Sequence, residues 1–153
     1  MKLLLTGTAI IALMFIIMML WMARASKSGQ PPGLSEGKLL TCASHKNCVC
    51  TEVGGSIPPE PPVALNRRYD SVSAFIFAID ESGGVVVRQT EDYLAATYQS
   101  TLFGFIDDVE LRLDNERQLL HIRSASRQGK SDLGVNRKRL AMLKAIISNR
   151  DSQ

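Results

Sequence analysis

The sequence predicts an α+β domain with an antiparallel meander sheet of four or more strands and helices on one sheet face. A single N-terminal transmembrane helix is predicted to precede this domain. Residues 3–23 contain no charged side chain, whereas all 15 Asp and Glu residues lie after them. Downstream, four short segments are strand-like, the last two with alternating apolar and polar residues, and two others have apolar residues at helical spacing. These two patterns together carry the fold prediction.

Length and charge narrow the function classes. A chain of 153 residues has room for one compact domain. Its 18 basic and 15 acidic residues give a formal net charge of +3. This balance does not predict nucleic acid as a partner, because counterion release needs a concentrated basic face. The composition is also unlike that of disordered, collagen-like or cysteine-rich chains.

The N-terminal apolar run is long enough to cross a bilayer. Its 21 uncharged residues would form roughly 30 Å of helix, the thickness of a hydrocarbon core. Trp21 lies near the end of the run, where an indole favours the membrane interface. A cleaved signal peptide normally has a shorter apolar region, of about 7–15 residues. We therefore predict that residues 1–25 are an uncleaved anchor, with a signal peptide as the alternative.

Two segments rich in small residues and proline follow. Residues 26–38 are polar and contain Pro31 and Pro32, which predicts a linker. Residues 54–62 contain four further prolines and are expected to form an extended surface arm. The remaining residues 39–150 are predicted to be the soluble α+β domain, which is large enough to bury its own core.

All three cysteines lie within nine residues, and the spacing leaves three interpretations open. A Cys42–Cys48 disulfide would need an oxidising compartment. Cys42, His45, Cys48 and Cys50 are alternatively a set of zinc or copper ligands. Cys50 is alternatively a reactive thiol left over from an odd count. The chain lacks paired C-x-x-C spacings, so we favour the disulfide and predict no metal or other cofactor.

The predicted disulfide also indicates on which side of the membrane the soluble domain lies. More basic residues follow the apolar run than precede it, which weakly favours a cytoplasmic domain. Disulfides, however, persist in oxidising compartments. We follow the cysteines and predict a single-pass membrane protein whose soluble domain is periplasmic or otherwise extracytoplasmic.

The soluble part reads as helix, four strands and helix. Apolar residues recur at helical spacing from Val72 to Ile79, with Asp70 or Ser71 as N-cap. The predicted strands are 85–89, 93–99, 106–113 and 118–124, and a last helix is predicted over 135–148. Alternation in the last two strands predicts one dry face under the helices and one solvated face. The solvated face would carry Asp108, Glu110, Arg112, His121 and Arg123.

Three stretches of the chain resemble a known family. They are Cys42 to Val49, EDYLAATYQSTLFGFIDDVELRLD at 91–114, and HIRSASRQGKSDLGVNRKRL at 121–140. They are similar to the bacterial and plastid family catalogued as domain of unknown function 1499, over about residues 39–147. The resemblance implies an exported, lipid-anchored, single-span or thylakoid-lumen protein, and it implies no activity. The family pattern resembles C-P-x-S-P-N-C-V-S-S, from which Ala43, Lys46 and Cys50 depart.

The loop at 123–132 is the predicted binding surface. A polar, glycine-containing loop that leads into a helix N-terminus suits an anion, because free N–H groups and the helix dipole face it. The residues predicted to bind an anion or a partner are His121, Arg123, Arg127, Lys130 and Asp132. In the alternative interpretation, Arg123 and Arg127 pair with Asp107, Asp108 and Glu110 of the neighbouring strand, and Asp132 caps the helix.

The function expected from these features is a membrane-tethered extracytoplasmic binding or assembly-accessory domain. It would present the basic surface to a protein or a small anionic ligand. One alternative is an enzyme, hydrolase-like with His121 and Asp108 or a thiol redox enzyme with Cys50. The other is a zinc- or copper-handling domain built on the cysteine cluster. The chain lacks a G-x-S-x-G motif, and neither histidine has a nucleophile at a suitable spacing, so no catalytic residues are assigned.

Overall fold

A computed structural model of the chain describes residues 2–44 and 46–153, so the candidate metal ligand His45 lies outside the described residues. The helices within this part are α1 (Lys2–Lys27), α2 (Ile76–Glu81) and α3 (Val135–Asp151). The strands are β1 (Leu34–Ser35), β2 (Lys38–Leu39), β3 (Cys48–Cys50), β4 (Val63–Ala64), β5 (Val85–Gln89), β6 (Tyr93–Gln99), β7 (Ile106–Asp114) and β8 (Leu119–Ser126).

Helix α1 contains the predicted apolar span. In the described residues, one helical stretch is long and apolar enough to cross a membrane, namely Thr6–Lys27. Most of this stretch is exposed, but Met19 and Met22 are half-buried and Ala23 and Ser26 are buried. Spacings of three, four and seven residues place these four side chains on one face of the helix. The C-terminal end of α1 therefore packs against the folded domain.

The main sheet has the predicted antiparallel meander. Among the described residues its strand order is β3-β8-β7-β6-β5, and β4 pairs with a further part of β8. Strands β5 and β6 have the predicted bounds, whereas β7 runs one residue longer and β8 begins and ends slightly later. Three successive connections, at 90–92, 100–105 and 115–118, join strands that pair side by side. The predicted α+β class is confirmed.

One sheet face is covered by helices, as predicted. A short 3₁₀ helix, Val72–Phe75, begins at Ser71, whose side chain accepts a hydrogen bond from the Ser73 N–H and so acts as the expected N-cap. Helix α3 extends three residues beyond its predicted end. The largest fully buried apolar side chains beneath these helices are Phe75, Ile79, Leu94, Leu111, Leu120, Ile122, Leu143 and Ile147.

The opposite sheet face is covered as well, by residues 26–39, which comprise the end of α1 and the chain that follows it; we name them the covering segment. Residues 26–38, predicted to be a linker, include β1 and part of β2, which form a small antiparallel pair. Leu39 packs there with Tyr93, Ala95 and Ala125 of the sheet. The sheet is thus enclosed on both faces, by helices on one side and by this segment on the other.

The predicted disulfide is present. Cys42 and Cys48 are joined, with 5.7 Å between their Cα atoms, and Cys50 is free and buried. The bridge links the chain just after the covering segment to β3, which pairs with β8. All three sulfur-bearing side chains belong to the apolar cluster around Leu39.

Candidate functional site

The polar sheet face is buried, so the prediction of a solvated face is wrong. Glu110 is 0% exposed and His121 is 7% exposed, and Asp108 and Arg112 are also buried. Alternation shows that one strand face is polar, but it does not show that this face is exposed to solvent. A charged face can be buried when its charges form ion pairs and another segment covers them. Here residues 26–39 provide the cover, and three acid–arginine pairs provide the compensation.

Glu110 lies at the centre of this face. Its Oε2 accepts a hydrogen bond from Arg123 Nη1 at 2.9 Å, and its Oε1 accepts from the Tyr93 hydroxyl at 2.7 Å. Oε1 also accepts from the backbone N–H of Gly33 at 2.9 Å. Burial and the hydrogen bond to Glu110 raise the pKa of Tyr93, so the phenol stays protonated as a donor. Arg123 is therefore committed to an internal carboxylate.

A second pair lies toward the far end of the sheet. Arg112 binds Glu52 with two hydrogen bonds, Nε to Oε2 at 3.0 Å and Nη2 to Oε1 at 2.9 Å. Glu52 Oε2 also accepts from the Leu39 N–H at 3.2 Å. His121 Nδ1 is 3.6 Å from Glu52 Oε1 and 3.3 Å from the Thr51 carbonyl oxygen. Burial lowers the pKa of His121, although Glu52 opposes this effect.

The third pair lies at the end of the sheet nearest α1. Arg127 donates from Nε and Nη2 to both carboxylate oxygens of Asp108, at 2.6–3.0 Å. Its Nη1 donates to the Ser26 carbonyl oxygen at 3.0 Å. The Ser26 hydroxyl in turn accepts from the Ile106 N–H at 3.1 Å. Arg127 thus fastens the end of the apolar helix to the first residues of β7.

The three pairs share one arrangement. Each bonds both across the sheet face and to one backbone group of the covering segment: Ser26, Gly33 or Leu39. Each pair contains one residue of β7, namely Asp108, Glu110 or Arg112. These are alternate residues of the strand, so neighbouring ones are about 6–7 Å apart. The covering segment therefore runs along the strand and is held at three successive points.

The remaining predicted binding residues lie in the loop before α3. Asp132 accepts hydrogen bonds from the N–H groups of Gly134, at 2.9 Å, and Asn136, at 2.8 Å. Its own carboxylate thus occupies the helix N-terminus that the sequence predicted as an anion site. Lys130 is exposed at the surface of the loop. The five predicted residues do not form one site: two lie under the cover, Arg127 at its edge, and Lys130 and Asp132 in the loop.

The geometry also bears on the enzyme and metal alternatives. In the β7–β8 pairing His121 lies opposite Arg112, whereas Asp108 lies opposite Ala125, about 13 Å further along the strands. Burial raises the pKa of the Cys50 thiol, which disfavours the nucleophilic thiolate. The Cys42–Cys48 bridge removes two of the four candidate metal ligands in the oxidised protein.

A basic cleft opens where the covering segment meets the sheet edge. Its volume is about 590 Å³, and its basic lining residues are Lys27, Arg88 and Arg127. None of the described residues that line it is acidic. Asp108 neutralises Arg127, but within residues 2–44 and 46–153 neither Lys27 nor Arg88 forms an ion pair with a carboxylate. The cleft therefore carries two positive charges without a carboxylate partner among the described residues, although the Arg88 guanidinium lies over the Tyr93 ring at 5.7 Å.

Sequence reasoning identified Arg127 but missed Lys27 and Arg88. Lys27 follows the apolar run as one of several basic residues, and Arg88 lies on an edge strand as an ordinary exposed position. Glu52 was missed too, because it follows β3 outside any periodic pattern. These residues meet only through contacts between distant segments, for which a single sequence gives no signal.

The central carboxylate gives the first prediction. Replacing Glu110 with Ala leaves the Arg123 guanidinium, the Tyr93 hydroxyl and the Gly33 N–H without their shared acceptor. We expect the free energy of unfolding to fall by about 3–5 kcal/mol, as for one partner removed from a buried ion pair. Denaturant titration of the full chain in detergent micelles measures this. Glu116→Ala, at an exposed turn, is the control, and equal stability of the two variants would contradict the prediction.

The buried histidine predicts a pH dependence. Because the pKa of His121 is lowered in the folded protein, the unfolded chain takes up a proton first as the pH falls below about 6.5. The free energy of unfolding should therefore decrease from about pH 7 to pH 5. His121→Gln should reduce this slope in denaturant titrations at several pH values, while His45→Gln measures the contribution of the other histidine. An unchanged slope in His121→Gln would refute the assignment.

Two motifs that carry the family resemblance meet in the structure. Asn47, next to the disulfide, donates from Nδ2 to the Gly129 carbonyl oxygen at 2.7 Å. Its own carbonyl oxygen accepts from the Ser126 N–H and from Asn136 Nδ2. No curated protein and no solved structure matches the chain. The model of the family described as "Protein of unknown function (DUF1499)" matches residues 38–147, and the chain belongs to this family.

Proposed function

We propose that this protein is a membrane-anchored extracytoplasmic binding domain whose basic cleft holds an anionic group. The observation that carries the proposal is the lining of the cleft, where Lys27 and Arg88 lack an ion pair within the described chain and no described lining residue is acidic. A concave site with one sign of charge raises the local concentration of oppositely charged ligands. Arg127 lies at the edge of the cleft and is also a residue of the loop surface that the sequence predicted.

The charges in the cleft are suited to an oxyanion with several oxygen atoms. Lys27 supplies a point charge, and Arg88 supplies a planar guanidinium that can donate two parallel hydrogen bonds to phosphate or carboxylate. Gln30, Thr97 and Gln99 add neutral polar groups to the lining. This combination supports binding of a phosphate-bearing ligand and requires no reaction.

The position of the cleft indicates where that ligand would come from. Lys27 is the last residue of α1, so the cleft lies where the apolar helix ends. If α1 spans a bilayer, this is the level of the lipid headgroups. The shared chemistry is phosphate, which reaches this level either as an anionic lipid headgroup or as a free anion from solution.

The disulfide supports the extracytoplasmic location and gives a prediction. In an oxidising compartment we expect one thiol per chain, that of Cys50, because cytosolic reductants would keep all three cysteines reduced. Cells are quenched with acid, denatured and treated with a maleimide that adds mass, and gel mobility counts the adducts. Cys50→Ser should then give none. Three adducts on the wild-type chain would contradict the extracytoplasmic location.

The cleft itself gives the next prediction. Arg88→Gln and Lys27→Gln should each weaken anion binding by about tenfold, the value of one charge-assisted hydrogen bond. In one arm, native mass spectrometry counts phosphatidylglycerol retained by the full chain from mixed phosphatidylcholine and phosphatidylglycerol micelles. In the other, calorimetry follows inorganic phosphate added to the chain in phosphatidylcholine alone.

Matched variants separate the cleft from general electrostatic attraction. Arg117→Gln and Lys138→Gln remove the same charges at exposed positions that do not line the cleft. Loss confined to the cleft variants supports the proposal, and the arm in which it appears identifies a lipid headgroup or a free anion. Equal loss in all four variants, or no binding in either arm, would overturn it.

A further inference from the structure

A second surface lies on the same end of the domain, next to α1. It is a groove of about 370 Å³ between the helix and two loops, residues 100–105 and 128–135. Its lining is largely apolar. The apolar side chains in it are Met19, Met22, Leu102, Phe103, Phe105, Leu133 and Val135, and we name this set the apolar rim.

The contact of the apolar rim with α1 indicates how deep the rim would lie in a bilayer. Met19 lies four residues before Ala23, the end of the uncharged run, and so about 6 Å inside it along the helix axis. Met22 lies in the same uncharged run. Because both loops line a groove with these two residues, a bilayer that surrounds α1 also reaches the loops.

The loop tips are exposed to an unusual degree. Leu133 is 91% exposed and Leu102 is 81% exposed. Leu133 also has a φ of +54°, a left-handed conformation that is energetically costly for a bulky residue. Within the described chain this strained side chain has almost no packing to offset the cost. Transfer of the leucine side chain from water to an apolar phase would offset this cost.

Charges around the rim fit a lipid surface. Arg24, Lys27 and Lys130 are exposed at the same end of the domain, where headgroups would lie. The two acidic residues of the groove are both engaged: Asp107 pairs with Arg139 at 3.1 Å, and Asp132 caps α3. Apolar side chains flanked by basic residues are the pattern of proteins that lie in the membrane interface.

We infer that the apolar rim inserts into the outer part of the bilayer beside α1, so that the domain rests on the membrane. The occupant of the groove is phospholipid, because the groove is continuous with the apolar helix. This inference rests on the proposed membrane anchor and adds a second, independent contact with the same bilayer.

Tryptophan quenching in the full chain tests the inference. The protein has a single tryptophan, Trp21, so the wild-type chain reports the anchor alone. Trp21→Phe combined with Leu133→Trp or Leu102→Trp reports the rim, and Leu102→Trp keeps the test intact if the strained position rejects an indole. In vesicles of brominated phosphatidylcholine, both rim reporters should lose about half of their fluorescence relative to unbrominated vesicles, as expected for insertion of about 5–10 Å.

The control reporter is Trp21→Phe with Glu116→Trp. Residue 116 follows the end of β7, about 26 Å from Ile106 at the α1 end. Quenching of Trp21 and of the rim reporters, but not of the control, supports the inference. Quenching of Trp21 alone, or of all reporters equally, overturns the rim and leaves the anchor standing. An unquenched Trp21 removes the anchor and with it the rim.

Discussion

The buried ion pairs of the polar sheet face are the constraint on which the rest of the structure depends. Each carboxylate would be costly in a dry environment without its arginine, and each pair also needs the covering segment to keep water out. The segment has little apolar surface of its own, and it is held in place by hydrogen bonds at Ser26, Gly33 and Leu39. Pairs and cover therefore depend on each other and should form together.

This arrangement explains why the fold was predictable and the site was not. The alternation over 106–113 and 118–124 predicts the bounds of these strands to within two residues, because one apolar face is enough to define a strand. The same alternation does not indicate which segment covers the polar face. Arg127 and Ser26 are separated by 101 residues in the chain, so their contact depends on the packing of the whole domain. In the structure, Arg123 and Arg127 form ion pairs with Glu110 and Asp108 of the neighbouring strand, as the alternative interpretation of the sequence predicted.

The two proposals assign different chemistry to two surfaces at the end of the domain next to α1. On one side of α1 the basic cleft gathers Lys27, Arg88 and the edge of Arg127 around polar groups. The apolar rim meets the helix at Met19 and Met22. A domain with a cationic cleft and an apolar rim around one helix is well suited to work at the boundary of a bilayer, where both phosphate and hydrocarbon are within reach.

The bond between Arg127 and Ser26 has a mechanical consequence. It joins the sheet to the last turn of α1, so no flexible spacer remains between helix and domain. The sheet extends only about 30 Å from this end of the helix. If α1 is the proposed anchor, the domain would stay within a layer of about this thickness beside the bilayer. It would then meet larger partners by lateral diffusion along the membrane.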